Sequence, residues 1–152
     1  MADSPKVGII CGSKSDLAVI EKAEKELKAF GIAYDITVAS AHRTPKAVTD
    51  YARSAEQKYD LIIAAAGMAA ALPGVIAAHT TLPVIGLPIH SQGLSGHDAL
   101  FSIVQMPPGV PVASVAIDGG RNAAILAAQI LSLKYPALRA KLKKLKKEMA
   151  RA

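Results

Sequence analysis

The sequence predicts an α/β fold: a flavodoxin-like three-layer sandwich with a five-stranded parallel sheet in the middle and a C-terminal helix. Three observations carry this. Short apolar runs such as Val7 to Cys11 alternate with segments of helical periodicity. Turn and capping residues separate one from the next, as in Gly12-Ser13-Lys14-Ser15-Asp16. The chain has 152 residues, 51% of them hydrophobic, enough for one core of ordinary size and no second one, so 1–152 is read as one domain.

Each element has its own signal. Val7 to Cys11 is a continuous apolar run, hence a buried first strand. The first helix is expected from Leu17 to Phe30, with Val19, Ile20, Ala23, Leu27 and Phe30 on one side and Gly31 as its stop. Tyr34 to Ala39 is the second strand. Thr44 is the N-cap candidate of the next helix and Pro45 its first-turn residue. Leu61 to Ala65 reads as the third strand, and the small residues from Ala66 to Gly74 lead into a helix ending near His79. Leu82 to Leu87 is the fourth strand, Pro83 being tolerable at a strand start, and a loop from Pro88 to Ser95 follows. A helix from Gly96 to Gln105, a fifth strand from Val110 to Ile117 and an alanine-rich helix from Asn122 to Leu133 complete the alternation. Strands joined through helices at this spacing require right-handed crossovers and parallel pairing.

Composition narrows the function. The formal net charge is +6, yet seven basic residues and one acid lie between Arg139 and Arg151, leaving 11 basic and 11 acidic residues elsewhere. The basic character belongs to the tail, 136–152, where Pro136 starts a helix carrying Leu138, Leu142, Leu145 and Met149 on one face. A terminal helix with a solvated lysine face is favoured over nucleic-acid or membrane binding. No tryptophan and only six other aromatic residues leave few stacking platforms for a flavin or a single-stranded nucleic acid. Cys11 is the only cysteine, and residues 1–6 are polar with no secretory pattern, so a cytoplasmic location is expected. Asp98 is the only charged residue from Leu61 to Ile117, but prolines and glycines interrupt that stretch too often for a spanning helix. Burial in a parallel sheet and beneath other subunits explains it better.

Ligands of such sheets sit beyond the carboxyl ends of the strands, so the first three loops are where chemistry is sought. The first offers Gly12, Ser13, Ser15 and Asp16: amides and hydroxyls for a phosphate, and a carboxylate for ribose hydroxyls. By itself this is an ordinary helix cap and matches no dinucleotide or P-loop fingerprint. The second, Ser40-Ala41-His42-Arg43, adds a guanidinium that can clamp phosphate and an imidazole able to give and take a proton near neutrality. The third, with Gly67, Ala70, Ala71 and Leu72, leaves backbone bare for a planar ring. His79, His90 and His97 have no compact spacing with Cys11, so no metal site is expected. Asp98 is assigned a structural role at a helix start. A phosphoryl receiver would need an aspartate where Ala64-Ala65-Ala66 stands, and a flavodoxin would need aromatic loops, so both are set aside.

Taken together, Gly12-Ser13-Lys14-Ser15-Asp16, Ser40-Ala41-His42-Arg43-Thr44-Pro45, Leu72-Pro73-Gly74, Ser102-Ile103-Val104-Gln105-Met106-Pro107, Gly109-Val110-Pro111-Val112 and Asn122-Ala123-Ala124 resemble the PurE family, the catalytic subunit of phosphoribosylaminoimidazole carboxylase. Its prokaryotic form is N5-carboxyaminoimidazole ribonucleotide mutase. The resemblance spans about Val7 to Leu133. It implies purine biosynthesis on a small ribonucleotide, with no metal or organic cofactor, in a homo-octamer. His42 matches the family histidine that moves the C4 proton. Ser13, Asp16 and Arg43 match the residues that hold the ribose phosphate, and Ser40 with the Gly67 to Leu72 backbone lies where base and carboxylate sit. One departure stands out: the family's AAHLPG reads Ala69-Ala70-Ala71-Leu72-Pro73-Gly74 here, without the second histidine. Three readings follow: the mutase, a carboxylase acting directly on aminoimidazole ribonucleotide with CO2, and a noncatalytic nucleotide-binding subunit.

Overall fold

The computed structural model describes residues 4–151; Met1 to Asp3 of the polar N-terminal stretch and Ala152 at the end of the tail lie outside the described residues. Five parallel strands form one sheet in the order β2-β1-β3-β4-β5: β1 Lys6–Cys11, β2 Ala33–Val38, β3 Leu61–Gly67, β4 Val84–Ile89 and β5 Ala113–Ser114. The helices are α1 Leu17–Phe30, α2 Pro45–Ala55, α3 Leu72–Ala77, α4 His97–Val104, α5 Gly120–Leu131 and α6 Ala137–Met149, with a 3-10 turn at Lys14–Asp16 before α1. The sheet separates two cores because successive side chains point to opposite faces. Val7, Ile9, Cys11, Ile63, Ala65 and Leu87 meet α1, α5 and α6, while Ile10, Ile62, Ala64 and Val84 meet α2, α3 and α4.

The first helix ends as its sequence requires. Gly31 takes φ 67°, a left-handed conformation costly for any residue with a Cβ, and its N–H closes onto Leu27 and Lys28 carbonyls. Ile20, Ala23, Leu27 and Phe30 are buried. Val19 is half-buried and packs at the margin of the first core, and its main-chain carbonyl faces Gly120 at the α1–α5 crossing. Strand β2 is an edge strand, and Ile36 and Val38 stay exposed on it.

Several boundaries differ from the sequence-based expectation. Strand β4 starts at Val84, after Pro83, and runs two residues past Leu87, because Pro88 pairs in register with Ala66. Pro88 has no N–H to give, and its carbonyl accepts the N–H of Asp118 at 2.9 Å. The fifth strand, expected over eight residues, shrinks to Ala113–Ser114. Proline at 107, 108 and 111 removes donors ahead of it, and beyond it only isolated bonds such as Val115 N–H to Gly86 O continue the pairing. Helix α3 stops at Ala77, short of His79. Thr44 stands at the N-cap of α2, but its hydroxyl makes no cap there; it donates to Ser40 O at 3.0 Å and accepts from Ser40 N–H at 3.1 Å.

The tail helix is docked. Leu138 is buried, and Leu142 and Leu145 pack on the first core, whereas Met149 is 55% exposed and leaves the apolar face early. Lys143, Lys144, Lys146 and Lys147 face solvent. Lys141 reaches back to cap α1, its ammonium donating to Phe30 O at 2.7 Å. Among the described residues no helix is long and apolar enough to cross a membrane.

Candidate functional site

The strand order turns back between β1 and β3, so the loops after these strands diverge and open a crevice. A cavity of about 640 Å³ lies there. Gly12, Ser13, Ser15 and Asp16 line it from the loop after β1, Ser40, Ala41, His42 and Arg43 from the loop after β2, and Gly67, Ala70, Ala71 and Leu72 from the end of β3 and the start of α3. Every residue singled out from the sequence as a candidate therefore faces one volume. Ala66, Met68, Ala69, Ile89, His90 and Ser91 complete the lining.

The first loop is held by a capping box. Ser13 N–H donates to Asp16 Oδ2 at 3.0 Å, and Ser13 Oγ accepts from Ser15 N–H at 3.3 Å and from Ser15 Oγ at 2.9 Å. Asp16 is buried, at 7% exposure. Burial raises its carboxyl pKa above the ordinary 3.8; bonds from Ser13, Ser15 and Gly12 and the charge of Arg43 offset part of this. Beneath it, burial and then the Asp16 charge push the Cys11 thiol up to about 11, which makes it an inert core group.

The second loop is a tight turn closed by Thr44 N–H onto Ser40 O at 2.8 Å, with Arg43 N–H donating to Ser40 Oγ at 3.3 Å. The turn presents His42 and Arg43 as exposed side chains. Arg43 Nη2 donates to Gly12 O at 3.0 Å, tying this loop to the first, and its other guanidinium donors remain for an anion.

The third loop is built from short turns: Ala70 N–H to Met68 O at 2.8 Å and Ala71 N–H to Ala69 O at 2.7 Å. Met68 takes φ 56° and is 67% exposed, a left-handed position for a non-glycine residue, which costs on the order of 1 kcal/mol. Ala71 is half-buried and Leu72 buried, so this wall is apolar.

Six lining residues lie outside the sequence-based candidates, and two of them, His90 and Met68, matter most to the shape and chemistry of the cavity. A strand ending at Leu87 places His90 inside the loop from Pro88 to Ser95, with no spacing that ties it to the first three loops, whereas β4 carries through Pro88 to Ile89 and delivers His90 to the rim. Met68 had no local signal, since a methionine carries no preference for positive φ. His97 turns elsewhere, its Nδ1 within 2.9 Å of Leu94 O, and Asp98 accepts from Ala99 N–H at 3.0 Å at the start of α4. Among the described residues no group of three His, Cys, Asp or Glu side chains could hold a metal ion.

Residues 6–152 match the AIR carboxylase family. The chain belongs to the AIR carboxylase family. It is 58% identical over 148 residues to an N5-carboxyaminoimidazole ribonucleotide mutase of Pyrococcus abyssi, covering 97% of this chain and 85% of that protein. A Thermotoga maritima protein of the same name is 55% identical, with 97% and 86% covered. The crystal structure of Treponema denticola PurE superposes with a TM-score of 0.89 at 35% identity, over 97% of this chain and 92% of that one. The five-stranded parallel sheet with helices on both sides is thus the fold of this family.

Proposed function

We propose that the chain is an N5-carboxyaminoimidazole ribonucleotide mutase of purine biosynthesis, working as one domain. The observation that carries this is the meeting of His42 and Arg43 with Ser13 and Asp16 at a single crevice, in a family member 58% identical to a mutase of that name. Arg43 and the hydroxyls of Ser13 and Ser15 hold the phosphate, the amides of both serines being taken up by the capping box, and Asp16 accepts from the ribose hydroxyls. Ser40, Ala41 and the bare backbone from Gly67 to Leu72 take the imidazole ring.

The reaction moves one carboxyl group. The bond from the exocyclic nitrogen to the carboxyl carbon breaks, releasing CO2 and returning the electron pair to the aminoimidazole. Ring carbon C4 then attacks the trapped CO2, and His42 takes the proton that C4 must lose and returns one to the nitrogen. Because the ring is already nucleophilic, the protein supplies orientation, a dry apolar wall around CO2 and one proton shuttle. Neither a metal nor an organic cofactor is needed for this electron flow.

Ala71 supports a second reading, direct carboxylation of aminoimidazole ribonucleotide by CO2, since the loop after β3, from Gly67 to Leu72, brings no side-chain acid or base to the cavity. Turnover of the carbamate substrate in bicarbonate-free buffer decides between them. Formation of 4-carboxyaminoimidazole ribonucleotide without added CO2 is the mutase result, and a strict requirement for CO2 is the carboxylase result. Binding without product from either substrate would leave the noncatalytic subunit.

We place the protein in the cytoplasm as a homo-octamer. In support, Leu94, Phe101 and Val104 are exposed in the charge-poor stretch, with Phe101 at 59%, surface that neighbouring copies would cover. No nucleic-acid or membrane partner is proposed, since the apolar side of α6 is occupied by the core.

A further inference from the structure

We propose that His90 contacts the substrate, holding the carboxyl group that the reaction moves, and that Asp118 is the positioning residue that fixes it; this rests on the ribonucleotide reading above. The cavity is chemically lopsided. Its charged groups, Asp16 and Arg43, stand with His42 on the loops after β1 and β2. On the opposite wall, from β3 and β4, only His90 and Ser91 carry polar side chains, the rest being glycine, alanine, methionine, leucine and isoleucine. A ribonucleotide anchored by its phosphate at the first wall points its ring toward the second. A carboxylate there needs a donor, and an imidazole N–H reaches further into the cavity than a serine hydroxyl.

The backbone singles out His90. Its N–H donates to Asp118 Oδ1 at 2.9 Å, and Asp118 N–H donates to Pro88 O at 2.9 Å, so one residue grips β4 on both sides of Ile89. Asp118 does this at φ 56°, a strained conformation for a residue with a Cβ. Gly96 packs behind: a Cβ there would stand 2.7 Å from Ile117 Cγ2 and 3.2 Å from His90 Cα, so a side chain would displace Ile117 and press on the His90 backbone. Three separated segments thus converge to fix the backbone from which one exposed histidine reaches the rim, where an unliganded surface residue would need no such support.

The test uses calorimetric binding of two ligands, aminoimidazole ribonucleotide and its 4-carboxy product, to the full chain and its variants. His90→Ala is expected to weaken the carboxylated ligand by about ten- to a hundredfold while the uncarboxylated one changes by no more than about twofold. His90→Gln keeps an N–H donor and should recover part of the loss. Asp118→Ala should reproduce part of it, whereas Asp118→Asn, which keeps an acceptor oxygen and tolerates the left-handed backbone, should stay near wild type. Equal weakening of both ligands by His90→Ala, or of neither, overturns the role of His90. Matching behaviour of the two Asp118 variants overturns its positioning role. Wild-type protein that binds neither ligand removes the ribonucleotide reading itself, and this inference with it.

Discussion

Asp16 places stability and function in opposition, and the two can be measured apart. The residue is 7% exposed and its carboxylate accepts Ser13 N–H at 3.0 Å, yet burial is the dominant influence and raises its pKa above 3.8. Asp16→Ala removes the acceptor of a capping bond and should destabilise the chain by about 1 kcal/mol. Asp16→Asn keeps an oxygen for Ser13 and eliminates the desolvated charge, so near neutral pH it should be as stable as wild type or more so. The sign follows from linkage. A carboxyl whose folded pKa is raised binds more protons folded than unfolded, so its stabilising contribution is complete below 3.8 and is lost as pH rises through the folded value. Urea and thermal unfolding of the three proteins at about pH 7.5 and about pH 4.5, at one protomer concentration, reads this directly. A 1 kcal/mol difference moves the midpoint by about 2–4 °C in a chain of this size. Ribonucleotide affinity should move the other way, falling about tenfold in Asp16→Asn as the charged acceptor for ribose is lost. An Asn variant as unstable as the Ala variant, or a wild type that gains on Asp16→Asn as pH rises, would refute the reasoning.

His42→Asn should lower turnover by about a hundred- to ten-thousandfold and leave the unfolding midpoint unchanged, because the side chain is exposed on its turn; steady-state kinetics beside a thermal melt checks both. Gly120→Ala should destabilise by about 1–3 kcal/mol, since the new methyl would overlap the Val19 carbonyl and lie 3.3 Å from Ala23 N, where two helix backbones cannot separate cheaply. An unchanged urea midpoint would contradict that packing. Asp60→Ala should cost about 2 kcal/mol, because Lys6 N–H at 3.0 Å and the Tyr135 hydroxyl at 2.9 Å both lose their acceptor. Burial raises the Asp60 pKa, but those donors and Lys134 outweigh it and hold it below 3.8, so its contribution is present above that value and lost as pH falls through the folded pKa. Acid unfolding of Asp60→Asn should accordingly show a shallower loss than wild type.

What the sequence by itself determined is whatever short-range chemistry controls. The span of α1, its buried face and its end at Gly31 follow from helical periodicity and one left-handed residue, all within a few positions. The crevice was legible for the same reason: in a parallel sheet the loops after the strands are functional by topology, and Ser13, Asp16, His42 and Arg43 lie in those loops. Only the tertiary structure decided where β4 ends and which residues close the cavity. Pro88 reads locally as a strand stop, yet Ala66 on one side and Asp118 on the other hold it in the sheet, and that pairing carries His90 to the rim. The late start of β5 was settled in the same way, since Pro111 ahead of it has no donor to give to β4. Helix caps and periodicity act between neighbours in sequence, whereas register and strand ends depend on hydrogen-bond partners tens of residues away, and these exist only once the chain has folded.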